Sequence, residues 1–214
     1  MKRIGLRQRK KAQMRQQIAD TAARLFATHG FDQVSIADIA QTVDVSDQTV
    51  YNYFPAKEDL VLDGAEEIRK RYVQIVRDRP SGTSPATALQ TVAREDIERH
   101  RHVDLDQARG EFSALCISSP NIRRFALEVR DRQVETIAAA ITATCPTIHP
   151  AIVHAHASAL ISVFQMISDH LGRSVLAGTS PVAVADELLP AVEAVFSDLD
   201  SHFRTLVPPA GRNP

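Results

Sequence analysis

Two helix starts and one enforced stop lie between Ser35 and Pro55, in the stretch SIADIAQTVDVSDQTVYNYFP. Ser35-Ile36-Ala37-Asp38 has the layout of a capping box, with Asp in place of the usual Glu. Ser46 offers a second hydroxyl cap, and Pro55 stops the helix that Ser46 opens, because its ring lacks an N–H and disfavours helical geometry at Phe54. Between the two short helices only a tight turn at Asp44-Val45 remains. This is helix-turn-helix spacing, in which the second helix enters the major groove of DNA. Ile39, Ala40, Val45 and Val50 can pack the pair together, and Ala40 is small where the helices approach. Asp47, Gln48, Thr49, Tyr51, Asn52 and Tyr53 are left for the outside. Gln, Asn and Thr side chains read base edges, while Tyr and Thr hydroxyls bind phosphate. Lys57 sits at the start of the next helix, where a cation is unfavourable unless a phosphate is shared with the backbone N–H groups.

The rest of the chain reads as helix. Ile18, Ala22, Leu25 and Phe26 form one apolar face of a helix over 13–28, with Gly30 as its left-handed cap. A longer helix is expected from Lys57 to about Arg79, ended by the loop PSGTSP at 80–85. Ser84-Pro85, Ser119-Pro120 and Ser180-Pro181 repeat one device, a hydroxyl cap followed by proline at the first helical position. Helices are expected near 86–101, 104–118, 120–144, 150–171 and 181–205, the last kinked or split at Pro190. No alternating β-branched run and no Asn-Gly or Asp-Gly hairpin signal occurs. The fold class is therefore all-α.

Charge divides the chain. Residues 1–57 hold nine Lys or Arg side chains against five Asp, a net of +4, and the remainder carries −5. A basic first quarter on an acidic body suits a polyanion partner for that quarter alone, or else a solvated, disordered arm. The segment before Gln13 is expected to run along the DNA backbone or into the minor groove. No apolar run approaches the ~20 residues that span a bilayer. No apolar segment follows the basic start, so a secretory signal is not expected. Cys116 and Cys145 have no metal or disulfide spacing, which suits free thiols in a reducing cytoplasm.

Ile39-Ala40, Val45-Ser46, Thr49, Tyr51, Tyr53-Phe54, Lys57-Glu58 and Leu60 resemble the pattern of the TetR family of bacterial transcriptional regulators. The resemblance covers about residues 13–60. It implies a three-helix DNA-binding domain, taken with its basic arm as 1–57, then a helical ligand-binding and dimerisation domain, 58–207, and a disordered tail, 208–214. It further implies a homodimer on palindromic double-stranded operator DNA, acting as a repressor released by a small-molecule effector. The DNA-binding set expected is Ser35, Ser46, Asp47, Gln48, Thr49, Tyr51, Asn52, Tyr53 and Lys57. Two positions depart from the family pattern. Asp44 stands where Gly is usual, and Asp47-Gln48 replaces a commoner basic-Gly pair. Asp47 either accepts from a cytosine amino group or supports the helix N-terminus. Tyr51 either faces DNA or packs on the first helix.

The resemblance implies a ligand cavity, which Phe112, Cys116, Phe125 and Phe164 are candidates to line; Glu111, Arg130 and Gln165 either orient its occupant or make ordinary interhelical hydrogen bonds. His100 with His102 and His154 with His156 are spaced i, i+2, which puts the rings on different helix faces, so no metal site is expected. No cofactor or nucleotide motif and no catalytic motif is present, and an enzyme is not expected. The helices at 150–171 and 181–205 are the expected dimer seam, where His154, Ala155, Ala157, Ser158, Ala159 and Ser162 permit close approach. Alternatives are the same fold without a small ligand, controlled by a protein partner or by cysteine oxidation.

Overall fold

The computed structural model describes residues 5–62 and 65–206. Among these residues ten helices succeed one another: α1 Leu6–His29, α2 Ile36–Val43, α3 Asp47–Tyr53, α4 Ala65–Asp78, α5 Pro85–His100, α6 Leu105–Ala108, α7 Phe112–Ser118, α8 Pro120–Thr144, α9 Pro150–Ala177 and α10 Pro181–Leu206. Short 3-10 turns occupy Phe31–Gln33 and Lys57–Leu60. No strand occurs among the described residues. The expected tail at 208–214 lies outside them.

The capping devices work locally as the sequence suggests. Ser84 and Ser119 accept from the backbone N–H of Thr87 and Ile122, each with proline at the first helical position. Several expectations change. The first helix begins at Leu6 instead of near Gln13, because Arg, Lys and Gln are good helix formers even where no apolar stripe betrays them. The basic segment from Arg7 to Lys11 is thus an exposed helical extension. The single helix expected from Lys57 is two elements, the 3-10 turn and α4. The helix expected at 104–118 breaks at Arg109-Gly110-Glu111 into α6 and α7. Gly30 has positive φ but extended ψ (82°, 149°), so it turns the chain without the left-handed helical cap. Pro190 leaves α10 continuous; it is exposed on the helix surface.

Two apolar clusters organise the molecule. One gathers Ile18, Phe26, Ile39, Val50 and Phe54 from the first three helices and the residue after them. The same cluster takes in Leu115, Cys116, Ile122 and Ala126 from α7 and α8, so the packing crosses the expected boundary at 57/58. Asp32 reinforces this seam, accepting from Ser119 Oγ at 3.2 Å and Asn121 Nδ2 at 3.0 Å. The second cluster joins α4, α5, α8, α9 and α10 through residues such as Tyr72, Leu89, Ile137, Leu160 and Phe196. α9 corrects one expectation: by length and composition alone it is apolar enough to cross a membrane. Its Val153, Ala157, Leu160, Ile161 and Ile167 are instead buried in this core.

Candidate nucleic-acid interface and internal cavity

α2 and α3 are set at a fixed angle by three local devices. Ser35 accepts from the Asp38 N–H at 3.1 Å while the Asp38 carboxylate accepts from the Ser35 N–H at 2.7 Å, closing the capping box. The Ser35 side-chain and backbone hydrogen bonds hold the Asp38 carboxyl below its ordinary pKa. Asp44 then adopts the left-handed conformation (φ 61°, ψ 50°) and is the one non-glycine residue with positive φ among the described residues. Ser46 caps α3 by accepting from the Thr49 N–H at 3.2 Å. Ile39, Ala40 and Val50 are buried between the helices, and Val45 is half-buried.

α3 consequently turns its polar side outward. Asp47, Gln48 and Asn52 are exposed, and Tyr51 is 45% exposed, which removes the alternative of a core tyrosine. Gln48 Nε2 donates to Asn52 Oδ1 at 3.2 Å, so these two amides form one unit along the face. Asp47 is the first residue of α3, in the favourable place for a carboxylate at a helix N-terminus. Thr49 is half-buried, its hydroxyl 2.9 Å from that of Ser46. Ser35 and Ser46 remain beside the helices they cap, Ser35 exposed and Ser46 at the start of the outward face.

Tyr53 and Lys57 have internal duties. Tyr53 is half-buried against the first cluster, and its carbonyl accepts from Arg15 Nη1. The Arg15 guanidinium also lies 4.2 Å above the Phe54 ring. An α1 cation thus closes the C-terminal end of α3, where cations are favourable. Lys57 Nζ donates to the Phe31 carbonyl and sits 4.1 Å above the Phe31 ring centroid. Burial lowers its pKa, opposed by the nearby Asp32 and Glu58. Sequence reasoning missed Arg15; a lone arginine beside the apolar face of α1 was its only signal.

Behind this domain lies a cavity of about 470 Å³ between α4, α5, α7, α8 and α9. Phe112 and Phe164 line it, as expected, and so do Glu111, Arg130 and Gln165. Cys116 and Phe125 do not. Cys116 faces the first cluster, where burial pushes its thiol up to about 12. Phe125 is half-buried one step around α8 from Ala126, which takes the place on the wall. The wall also holds Tyr72, Asp96, Arg99, His100 and Gln133, which the sequence did not single out as cavity residues. Tyr72 stacks on Phe164 with centroids 4.6 Å apart, and burial raises its phenol pKa. Of each histidine pair, one ring is buried (His100, His156) and the other exposed (His102, His154), so neither converges on a metal.

Two glycines tie cavity to interface. A Cβ on Gly110 would stand 1.9 Å from the Ala23 carbonyl oxygen of α1, and one on Gly172 would stand 2.1 Å from the Ser113 carbonyl oxygen. The α6–α7 turn is therefore pressed directly on α1 and α9 on α7, while Glu111, Phe112 and Ser113 between them line the cavity.

Residues 18–63 match the family model described as bacterial regulatory proteins, tetR family. The regulator TcmR of Streptomyces glaucescens is 30% identical over 106 residues, half of this chain and 47% of that protein. The repressor AcnR of Corynebacterium diphtheriae is 26% identical over 114 residues, 53% of this chain and 56% of that protein. The chain thus spans about half the length of these curated relatives. Over the whole fold it resembles NalD of Pseudomonas aeruginosa, the secondary repressor of the MexAB-OprM multidrug efflux pump, with TM-score 0.57 and 18% identity, covering 93% of this chain and 99% of that one. The capped helix-turn-helix thus lies within the segment that matches the tetR family of bacterial regulatory proteins, and the all-helical body that follows it shares its fold with NalD.

Proposed function

We propose that the chain is a cytoplasmic repressor that grips a palindromic operator as a homodimer and releases it when a small molecule fills the cavity. The observation that carries this reading is the outward face of α3. Gln48, Tyr51 and Asn52 stand free of the core on a helix capped at both ends, while α1 exposes Arg7, Arg9, Lys10 and Lys11. Amide side chains suit base edges and cations suit phosphate. Dimerisation is supported by α9. Ile152, Ala155, Ala159 and Met166 fall within an arc of about 60° on its surface, and Ile152 and Met166 are large apolar side chains left exposed. Two of the six residues expected in the seam point elsewhere: Ala157 is fully buried within the protomer, and Ser162 accepts from Arg130.

The release mechanism follows from the packing. Ile68 and Tyr72 of α4 line the cavity, and the α6–α7 turn beside it abuts α1. A molecule that alters either support tilts the two α3 helices of a dimer relative to one another, and operator half-sites tolerate one spacing. To move occupancy from 1:99 to 99:1, the effector must favour the released state by about 5.5 kcal/mol. Selection of bound duplexes from a random pool with the full chain, then screening of compounds for release, tests this. An enriched palindrome released by some compound is expected; recovery of no sequence preference overturns the reading.

A second reading, control by oxidation, has one observation in its favour. Arg79 Nη2 lies 3.3 Å from Cys145 Sγ, a cation beside a half-buried thiol that the sequence did not reveal. Peroxide treatment of wild type and Cys145→Ser decides it: loss of DNA binding in the former alone supports the thiol, and equal binding removes it.

A further inference from the structure

Arg130 is the unusual side chain of the cavity wall. Its Nη2 donates to Ser162 Oγ at 2.9 Å. Ser162 donates its own proton to the Ser158 carbonyl at 2.7 Å, so lone pairs alone face the guanidinium and hold it in place. The Arg130 Nε is buried with no partner, and no described carboxylate lies within ion-pair distance of the group. Its neighbours are treated differently. Arg123, two turns earlier on α8, meets both carboxylate oxygens of Asp169. Arg99, on the same cavity wall, pairs with Asp96 at 3.0 Å. A cation held at an apolar wall with a desolvated, unused donor is costly unless something supplies the acceptor.

His100 adds a second open valence. It is 8% exposed, lines the same cavity, and its Nε2 is buried without a partner. Burial, with a smaller contribution from His170, lowers its pKa and keeps the ring neutral at physiological pH. It therefore offers one hydrogen bond and no charge. Glu111 is exposed, where its charge is hydrated. One cation is left unmatched, which suits one negative charge. Beyond the Asp96–Arg99 pair, the remaining wall is mostly apolar, including Ile68, Tyr72, Phe112, Ile161, Phe164 and Leu171, with only the uncharged Ser113, Gln133, Gln165 and Ser168 interspersed. The volume of about 470 Å³ falls in the range that holds a drug-sized organic molecule.

Resting on the reading of this cavity as the effector site, we propose that the effector is an organic monoanion, a carboxylate on an apolar body. Arg130 is its counter-ion, held by Ser162, and His100 gives a further hydrogen bond. A dianion such as a phosphate monoester would leave one charge uncompensated against the apolar wall.

Isothermal titration calorimetry of the full chain with octanoate, 4-phenylbutyrate and 2-naphthylacetate, each beside its uncharged and nearly isosteric primary amide, tests this. At least one acid is expected to bind ten-fold or more tightly than its amide. Arg130→Met should abolish that preference by weakening the acid and sparing the amide. Arg130→Lys, which keeps the charge, should retain part of it. Amides that bind wild type as well as the acids overturn the anion assignment and leave the cavity reading standing. Acid preference that survives in folded Arg130→Met overturns the role of Arg130. If no acid and no amide binds, the cavity reading itself falls, and the assignment with it.

Discussion

Asp44 shows how a single residue sets the angle of the interface. It holds φ 61° between α2 and α3, where glycine carries no Cβ penalty. Asp tolerates this conformation better than most residues but not without cost. Asp44→Gly should therefore raise stability by up to about 1 kcal/mol in urea unfolding, with α2 and α3 unmoved. His156 makes a prediction about pH. It is 4% exposed, stacked at 4.7 Å on Phe203, and burial first, then His202, lowers its pKa to about 4. The folded state resists a proton that the unfolded chain accepts near 6.5. Its contribution is thus complete above pH 6.5 and is lost as pH falls from there towards 4. Between pH 7 and pH 5 the loss should be roughly 2 kcal/mol from this group. His156→Phe should flatten that limb when unfolding free energies are measured at both values. At this scale the sequence was only partly legible. Caps such as Ser35 and Ser46 bond to their own neighbours, so spacing reveals them. Arg15 on Tyr53, Arg79 on Cys145 and Arg130 on Ser162 join residues distant in sequence, and no local pattern reports them.

Helices were legible where their ends carry chemistry. Ser-Pro starts place α5, α8 and α10 within a residue of expectation. Boundaries went wrong where ordering comes from tertiary contact. The break between α6 and α7 is imposed by the fit of Gly110 against α1, and the basic start of α1 is helical without an apolar stripe. The same break makes a prediction. In Gly110→Ala the new methyl meets a backbone carbonyl that no rotamer change can move, so the α6–α7 turn must lift from α1. A loss of about 1–3 kcal/mol is expected, read by thermal or urea unfolding. DNA affinity should fall with it, because this turn supports the helix that anchors α3. A variant of unchanged stability would show that the turn is not pressed on α1. α9 adds the seam. Ala159→Glu puts like charges across a two-fold axis in a desolvated contact. Sedimentation velocity should then report monomers where wild type sediments as a dimer, and an unchanged dimer would place the interface on another face.

For the whole molecule, fold class and the helix-turn-helix were visible in the sequence, whereas the cavity was visible only in part. Phe112 and Phe164 reach it and Cys116 and Phe125 do not, because apolar residues at helical spacing look alike whether they fill a core or border a void. Continuous packing joins the parts: the first cluster runs from α1–α3 into α7 and α8, and the cavity borders the residues that press on α1. The central claim is that this assembly presents α3 to DNA. Fluorescence anisotropy of a selected duplex, titrated with wild type and with Gln48→Ala/Tyr51→Ala, tests it most directly. Both side chains are exposed and outside the core, so the melting temperature should stay within a degree or two. Two lost contacts of about 1–2 kcal/mol each, repeated on both half-sites, should weaken binding by a hundred-fold or more. Undiminished affinity in the folded double variant would contradict the account.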